Sequence, residues 1–323
     1  MKSKVSSVVI KCVLYLFSKI RFYPLLLLVR MMPESRTKKV LIRLYSPNTL
    51  RKISRGIFST NNKKLRDMQL DLVYELDIND EIGYQFFFNG TWEPAVLEVA
   101  RTMKLQKNDI YLDIGANYGL TCIPIAKKLG CEVIAIEASS RASAYLLRNA
   151  YLNNIKLDFY NRCVVNKTLF KKKPYIELYL QNGNYGASSI FPNWNKSKTA
   201  IPCELVRTTT ISTILDLSQP KKIKLIKLDI EGSELLILKE LPQILTRNVV
   251  IICEFKKNYM DQINYKYASN LIGFLSKQRS IFKVSYSSKN ILELHKFNPS
   301  QNADLIISVP KIYLTFFQKN IVD

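Results

Sequence analysis

Two short stretches of this chain hold acidic and small residues at spacings that suit chemistry. The first is Asp113-Ile-Gly115-Ala-Asn117-Tyr-Gly119, with Glu137 further on. Glycines at a strand-to-helix crossover let the backbone approach a ligand closely, and an acid ending the next strand can accept hydrogen bonds from both hydroxyls of a ribose. The spacing does not fit a dinucleotide loop, which needs glycine where Asn117 and Leu120 stand. It is not a P-loop either, since no Gly-Lys-Ser/Thr follows. Asp113 at the strand end argues against a phosphate and for a cationic or hydroxyl-bearing ligand. The second stretch is Lys227-Leu-Asp229-Ile-Glu231-Gly232-Ser233-Glu234. Ligands of open α/β sheets bind outside the carboxyl ends of the strands, so Asp229 and Glu231 are expected to face the same crevice as Asp113. Glu254 should be their neighbour on the next strand. Crowded carboxylates there suit acid/base work, a divalent metal or a cationic group. Ser233 and Glu234 also suit a helix N-terminus, which accounts for Glu234 without invoking chemistry.

The elements that must position these residues alternate along the chain. Residues 109–115, 132–138 and 157–165 read as buried strands, separated by helical stretches over 119–129 and from a Ser139 or Ser140 cap to about 152. Strands at this spacing mean βαβ units and a parallel sheet. Residues 71–88 read as a strand pair turning at Asn79–Asp80. Thr91 is expected to cap a helix with Pro94 in its first turn and Ala95, Val96, Val99 and Ala100 facing inward. Residues 171–207 read as an inserted hairpin and loop with a turn at Asn182–Gly183–Asn184. The pattern resumes with a strand over 223–229, a helix over 233–241 and a strand over 249–255. A helix over 259–276 and strands over 281–287, 291–297 and 303–309 follow, some of them antiparallel. The fold class is therefore α/β, a Rossmann-like, mostly parallel sheet with helices on both faces.

The chain has 323 residues, and its hydrophobic (47%) and charged (23%) fractions exclude global disorder. Six scattered cysteines with no CxxC pair exclude a zinc ribbon and point to a reducing compartment. The single histidine, His295, excludes a mechanism built on a histidine pair. The net charge of +22 is uneven: residues 1–66 carry +15 and the rest +7. A basic, apolar arm (1–66) thus precedes a nearly balanced catalytic domain (67–323). Within residues 5–32, Lys11, Lys19, Arg21 and Arg30 leave no charge-free run longer than about ten residues, whereas a spanning helix needs roughly 20. The mixture suits a helix lying in a membrane interface through residues 1–35, or one packed on the domain. A cytoplasmic protein, peripheral at an anionic membrane, is the expectation.

With these residues in view, the sequence resembles the FkbM-type methyltransferases, a branch of the class I S-adenosylmethionine-dependent enzymes. DIGANYG, the IEAS strand end and IKLDIEGSELLILK carry the likeness, and GTWEP leads into it. It covers roughly residues 70–255. The resemblance implies that S-adenosyl-L-methionine is the cofactor, held by Glu93, Asp113, Gly115, Asn117, Gly119, Glu137 and Ala138. It implies transfer of a methyl group to a hydroxyl (EC 2.1.1.-). One departure stands out: Thr210-Ile-Ser212-Thr213 occupies a place where the family often has acids.

Sulfonium and ammonium groups suit Asp113 and Glu137, where a phosphate would be repelled. Asp229 is the expected base for a hydroxyl acceptor, with Glu231 and Glu254 beside it and no metal required. The acceptor is read as a glycan or glycolipid hydroxyl. The alternatives are an RNA methyltransferase, which the net charge invites but no RNA-binding module supports, and a non-catalytic membrane-associated protein retaining the fold. The sequence does not determine the oligomeric state.

Overall fold

The computed structural model describes residues 62–181, 183–192, 203–217, 223–238, 249–255, 279–286, 292–297, 303–310 and 314–322, with Val29, Met31, Met32 and Leu41 of the arm. The helix expected over 259–276, most of the arm and Asn182 lie outside these residues. Val29 is buried in the main apolar core, and Met32 and Leu41 pack against that core. No helix among the described residues is long and apolar enough to cross a membrane. The five cysteines described, Cys122, Cys131, Cys163, Cys203 and Cys253, are free.

Strands β1 (Asn62–Asp67) and β2 (Leu72–Asp77) form an antiparallel hairpin. This corrects the expected strand pair over 71–88. The alternating LVYELD segment is a strand, but its partner precedes it, and the following residues form helix α1 (Glu81–Asn89). Asp80 is the reason: its carboxylate accepts from Ile82 N at 3.2 Å as an N-cap rather than making a hairpin turn. Ile82, Phe86 and Phe87 then bury a helical stripe that alternation alone could not distinguish from a strand. Helix α2 (Pro94–Thr102) starts with Pro94 at its first position, and Ala95, Val96, Val99 and Ala100 face inward as expected. Its N-cap is Glu93, not Thr91, in a left-handed conformation with no side-chain capping bond.

The α/β unit follows: β3 (Ile110–Ile114), α3 (Cys122–Leu129), β4 (Glu132–Glu137), α4 (Ser140–Leu152) and β5 (Asp158–Asn161). Ser139 caps α4, accepting from Ala142 N. The strand expected over 157–165 is split. After β5 the chain leaves the main sheet, and β6 (Cys163–Val164) joins β7 (Tyr175–Tyr179) and β8 (Cys203–Thr209) in a small sheet ordered β6-β8-β7. Helix α5 (Lys167–Lys172) connects β6 to β7, and β7 pairs antiparallel with β8, its partner beyond residues 180–202 rather than across a turn at 182–184. Helix α6 (Ile211–Leu217), β9 (Ile223–Leu228), α7 (Glu234–Leu238) and β10 (Val250–Phe255) resume the main layer. Then come β11 (Arg279–Tyr286), β12 (Leu292–Lys296), β13 (Ala303–Pro310), α8 (Leu314–Phe317) and β14 (Ile321–Val322).

The nine-stranded sheet runs β14-β12-β11-β13-β10-β9-β3-β4-β5. Strands β5, β4, β3, β9 and β10 are mutually parallel, while β13 and β11 pair antiparallel beside them. Alternation along each strand divides the core. Ile110, Leu112, Ile114, Ile226 and Leu228 pack on one face with Ile211 and Ile214 of α6 and Ile237 of α7. Tyr111, Ala135, Leu225 and Ile252 pack on the other with α1 to α4. Helices thus cover both faces, which is why these strands read as continuous apolar runs. The strand order reverses between β3 and β9, so the crevice at their carboxyl ends is the natural ligand site.

Candidate active site

At this reversal the chain must turn sharply off β3. Gly115 has φ +86°, and a Cβ there would lie 1.8 Å from the Asp229 carbonyl oxygen, so no other residue fits without moving backbone. Gly115 N and Ala116 N both donate to Ile136 O, at 2.9 and 3.0 Å, and Asp229 N donates to Ile114 O at 3.0 Å. These bonds lash the ends of β3, β4 and β9 together. Asn117 and Gly119 also have positive φ, and Asn117 N donates to Glu137 Oε2 at 2.8 Å.

Glu137 ends β4 with both oxygens engaged, since Oε1 accepts from Ser139 N at 2.7 Å. Burial pushes its carboxyl up to about 7, against the pull of these two backbone donors. Asp113 is fully buried: Oδ2 accepts from Thr121 Oγ1 at 2.7 Å, while Oδ1 has no partner. Burial raises its carboxyl as well, with Lys227 and Thr121 opposing.

The second stretch is held just as tightly. Asp113 and Lys227 are register partners on adjacent parallel strands, and alternation puts Asp229 on the same face. Lys227 Nζ lies 2.7 Å from Asp229 Oδ2 and 3.4 Å from Glu93 Oε2. Burial opposes the Lys227 charge, but Asp229, Glu93 and Asp113 outweigh it and hold the ammonium well above its ordinary value. Burial raises the Glu93 carboxyl, with Lys227 opposing. Glu231 and Gly232 take positive φ in the turn before α7, and Glu234 accepts from Ile230 N at 2.8 Å and Gly232 N at 2.9 Å. Glu234 thus braces the turn, which matches its capping role in the sequence; burial, then Glu254, push its carboxyl up to about 8. Carboxylate oxygens of Asp229, Glu231 and Glu254 lie within 4.8 Å of one another.

Two adjoining cavities share Gly115, Glu137, Asp229 and Glu231. The larger, about 230 Å³, is walled by Trp92, Glu93, Asn117, Lys227 and Glu254 among others. The smaller, about 50 Å³, is walled by Ala138, Arg162, Val164, Leu178 and Ile190. Eight of the ten site residues expected from the sequence line one or both; Asp113 and Gly119 line neither.

Sequence reasoning missed the roof. Asp80 Oδ1 accepts from Tyr185 N at 2.8 Å, Glu81 N donates to Gly183 O at 2.9 Å, and Ser189 Oγ donates to Glu231 O at 2.7 Å. The 183–190 segment therefore bridges from α1 to the Glu231 turn. Arg141 stacks on Tyr185, with its guanidinium 4.3 Å from the ring centroid. No local signal announces these contacts, which join residues from 42 to 105 positions apart. Thr121 was legible in principle, as the first hydroxyl after the glycine loop.

A nucleoside bearing a cationic amino-acid tail fits what is present. The acid ending β4 offers two oxygens to vicinal hydroxyls, and the smaller cavity is largely aliphatic. Asp113 Oδ1 and Asn117 Oδ1 are buried acceptors with no protein partner. Such atoms are costly unless a ligand or water meets them.

Residues 113–303 match the family described as the methyltransferase FkbM domain. No curated protein matches the chain. Solved structures similar to it include an O-methyltransferase from Bacillus cereus in complex with SAH, 14% identical over 68% of this chain and 80% of that one, with a TM-score of 0.39. Another is a precorrin-6y C5,15-methyltransferase from Geobacter metallireducens, 13% identical over 68% of this chain and 86% of that one, with a TM-score of 0.33. A third is the tRNA (uracil-54, C5)-methyltransferase of Pyrococcus abyssi in complex with S-adenosyl-L-homocysteine, 14% identical over 78% of this chain and 45% of that one, with a TM-score of 0.37. The family match spans more than half of the residues and contains both acidic stretches, and the chain belongs to the FkbM family of methyltransferases.

Proposed function

We propose that this S-adenosylmethionine-dependent methyltransferase transfers a methyl group to a hydroxyl of a glycan or glycolipid. The observation that carries this reading is the composition of the larger cavity. Among the described residues, Glu81, Glu93, Asp229, Glu231 and Glu254 line it against a single cation, Lys227. A phosphate-bearing acceptor such as RNA would meet repulsion there, whereas a polyhydroxylated one finds acceptors for its hydroxyls.

When bound, S-adenosylmethionine supplies an electrophilic methyl group on a sulfonium. Glu137, with Ala138, would hold the ribose. Asp113, Gly115, Asn117 and Gly119 form the loop for the methionine end, with Glu93 beside them. Asp229 takes the proton from the acceptor hydroxyl at a carboxylate oxygen, and Glu231 and Glu254 orient neighbouring hydroxyls. Alignment of acceptor and donor in the walled cavity provides most of the acceleration. His295 takes no part: it lies on the outer strand β12 with Nε2 2.9 Å from Ser285 Oγ.

The test is incubation with labelled S-adenosylmethionine and separate membrane, glycan and RNA fractions. Label in the glycan or lipid fraction is expected, and label in RNA alone would refute the reading. In the labelled fraction, Asp229→Asn should lower turnover about 10²–10⁴-fold with cofactor affinity nearly unchanged. Chelation should leave activity intact. Loss on chelation with recovery in Mg²⁺ would reassign Asp229, Glu231 and Glu254 as metal ligands.

A further inference from the structure

We propose that Lys227 is a positioning residue: its ammonium fixes the Asp229 carboxylate and ties the Trp92–Glu93 segment to the end of β9, so that the base and one wall of the acceptor cavity are set as a unit. This rests on Asp229 being the base.

Lys227 is 3% exposed, and a buried ammonium persists only where anions meet it. Here two do, from chain segments far apart in sequence: Asp229 Oδ2 at 2.7 Å and Glu93 Oε2 at 3.4 Å. The Asp229 contact commits Oδ2 and leaves Oδ1 for an incoming proton. The Glu93 contact explains an otherwise unfavourable backbone. Glu93 sits at φ 41°, ψ 53°, directly before Pro94, with no capping bond of its own. A non-glycine residue held in that region marks a segment that its surroundings over-determine, and such segments cluster at functional sites. Lys227 is the anchor on the sheet side. Trp92, next to Glu93, forms part of the same cavity wall. Among the described residues lining this cavity no other is a lysine or arginine.

The chain has two tryptophans, so Trp194→Phe in the full-length protein leaves Trp92 as the sole reporter of this wall. In that background, Lys227→Met should raise the acrylamide quenching constant of Trp92 at least about twofold, and Glu93→Gln should do the same. S-Adenosylhomocysteine affinity, measured by calorimetry, should stay within about threefold in Lys227→Met. In the acceptor fraction that takes label, Lys227→Met should lower kcat while leaving the KM for S-adenosylmethionine little changed. Adding it to Asp229→Asn should lower turnover no further. Ethylammonium should restore Lys227→Ala, and ethanol should not, which separates charge from packing. Unchanged Trp92 quenching in both single variants, or additive losses in the Lys227/Asp229 double variant, would overturn the proposal. Absence of S-adenosylhomocysteine binding by the parent protein would instead undo the methyltransferase reading, while leaving the Trp92 result interpretable.

Discussion

With Glu137 holding the cofactor ribose as proposed, cofactor affinity should depend on pH across the neutral range. In the ligand-free protein its carboxyl is pushed up to about 7 by burial, although Asn117 N and Ser139 N already donate to its two oxygens. Ribose hydroxyls can only donate to it fully when it is ionised. Binding therefore favours the carboxylate and expels the proton. With a free-state value near 7, the ionised fraction falls about tenfold between pH 8 and pH 6, so the apparent dissociation constant should rise about tenfold over that interval. The sign for stability is opposite. The folded chain holds a proton that the unfolded chain, with an ordinary value of 4.5, has released. Ligand-free stability should therefore fall as pH rises from about 4.5 to 7, by about 3 kcal/mol from this group alone. The assay is titration calorimetry with S-adenosylmethionine from pH 5.5 to 8.5, in buffers of differing ionisation enthalpy. Net proton release should peak on the acid side of neutrality. Glu137→Gln should lose about 1–3 kcal/mol of affinity and flatten the pH dependence, because a neutral amide replaces the titrating acceptor. A dissociation constant independent of pH, with no proton release, would refute the reasoning. So would a Glu137→Gln variant that keeps the wild-type profile.

Two further predictions concern the loop and the arm. Gly115→Ala should destabilise the fold by about 2–4 kcal/mol in urea titration and abolish cofactor binding, because its Cβ meets the Asp229 carbonyl at 1.8 Å. Gly90→Ala, at φ +73° with nothing within 4 Å, should cost only about 1–2 kcal/mol and leave binding intact. Removing residues 1–28 should preserve cofactor binding and reduce sedimentation with anionic vesicles, with the residual binding of the full chain falling as salt rises. Removing residues 1–35 should also cost stability, by roughly 1.5–3 kcal/mol or more, because Val29 is buried in the core.

The parts of the molecule legible in the sequence were those governed by local rules. Ile110–Ile114, Glu132–Glu137 and Ile223–Leu228 are buried on both faces, so their apolar runs announce parallel strands. Asp113, Gly115 and Glu137 follow from where such strands end. The reading failed where two local rules competed. Residues 72–77 alternate like a strand, and 82–88 are apolar enough to pass as its partner. Only the Asp80 cap and the Gly90 left-handed end separate strand from helix. Glu93 was legible as a residue of the motif but not as the helix cap, since its conformation is maintained by Lys227 across the crevice rather than by its own neighbours. The 183–190 roof was not legible at all, because its bonds to Asp80 and Glu231 depend on where the small sheet is placed.

The acidic cavity in a strongly basic chain is consistent rather than paradoxical. Most of the +22 formal charge belongs to residues 1–66, and at physiological ionic strength exposed charges are screened beyond about 8 Å. Charges of the arm that lie farther than that from the cavity leave its local field to its own residues. Inside, Asp229, Glu93 and Asp113 together outweigh burial and hold the Lys227 ammonium well above its ordinary value. On the proposed reading, these acidic surroundings favour a sulfonium and an ammonium at one end of the crevice and uncharged hydroxyls at the other. They also make phosphates unwelcome close to the transferred methyl. On the proposed reading, the carboxylates at the ends of β4, β9 and β10, rather than the net charge of the chain, select the acceptor.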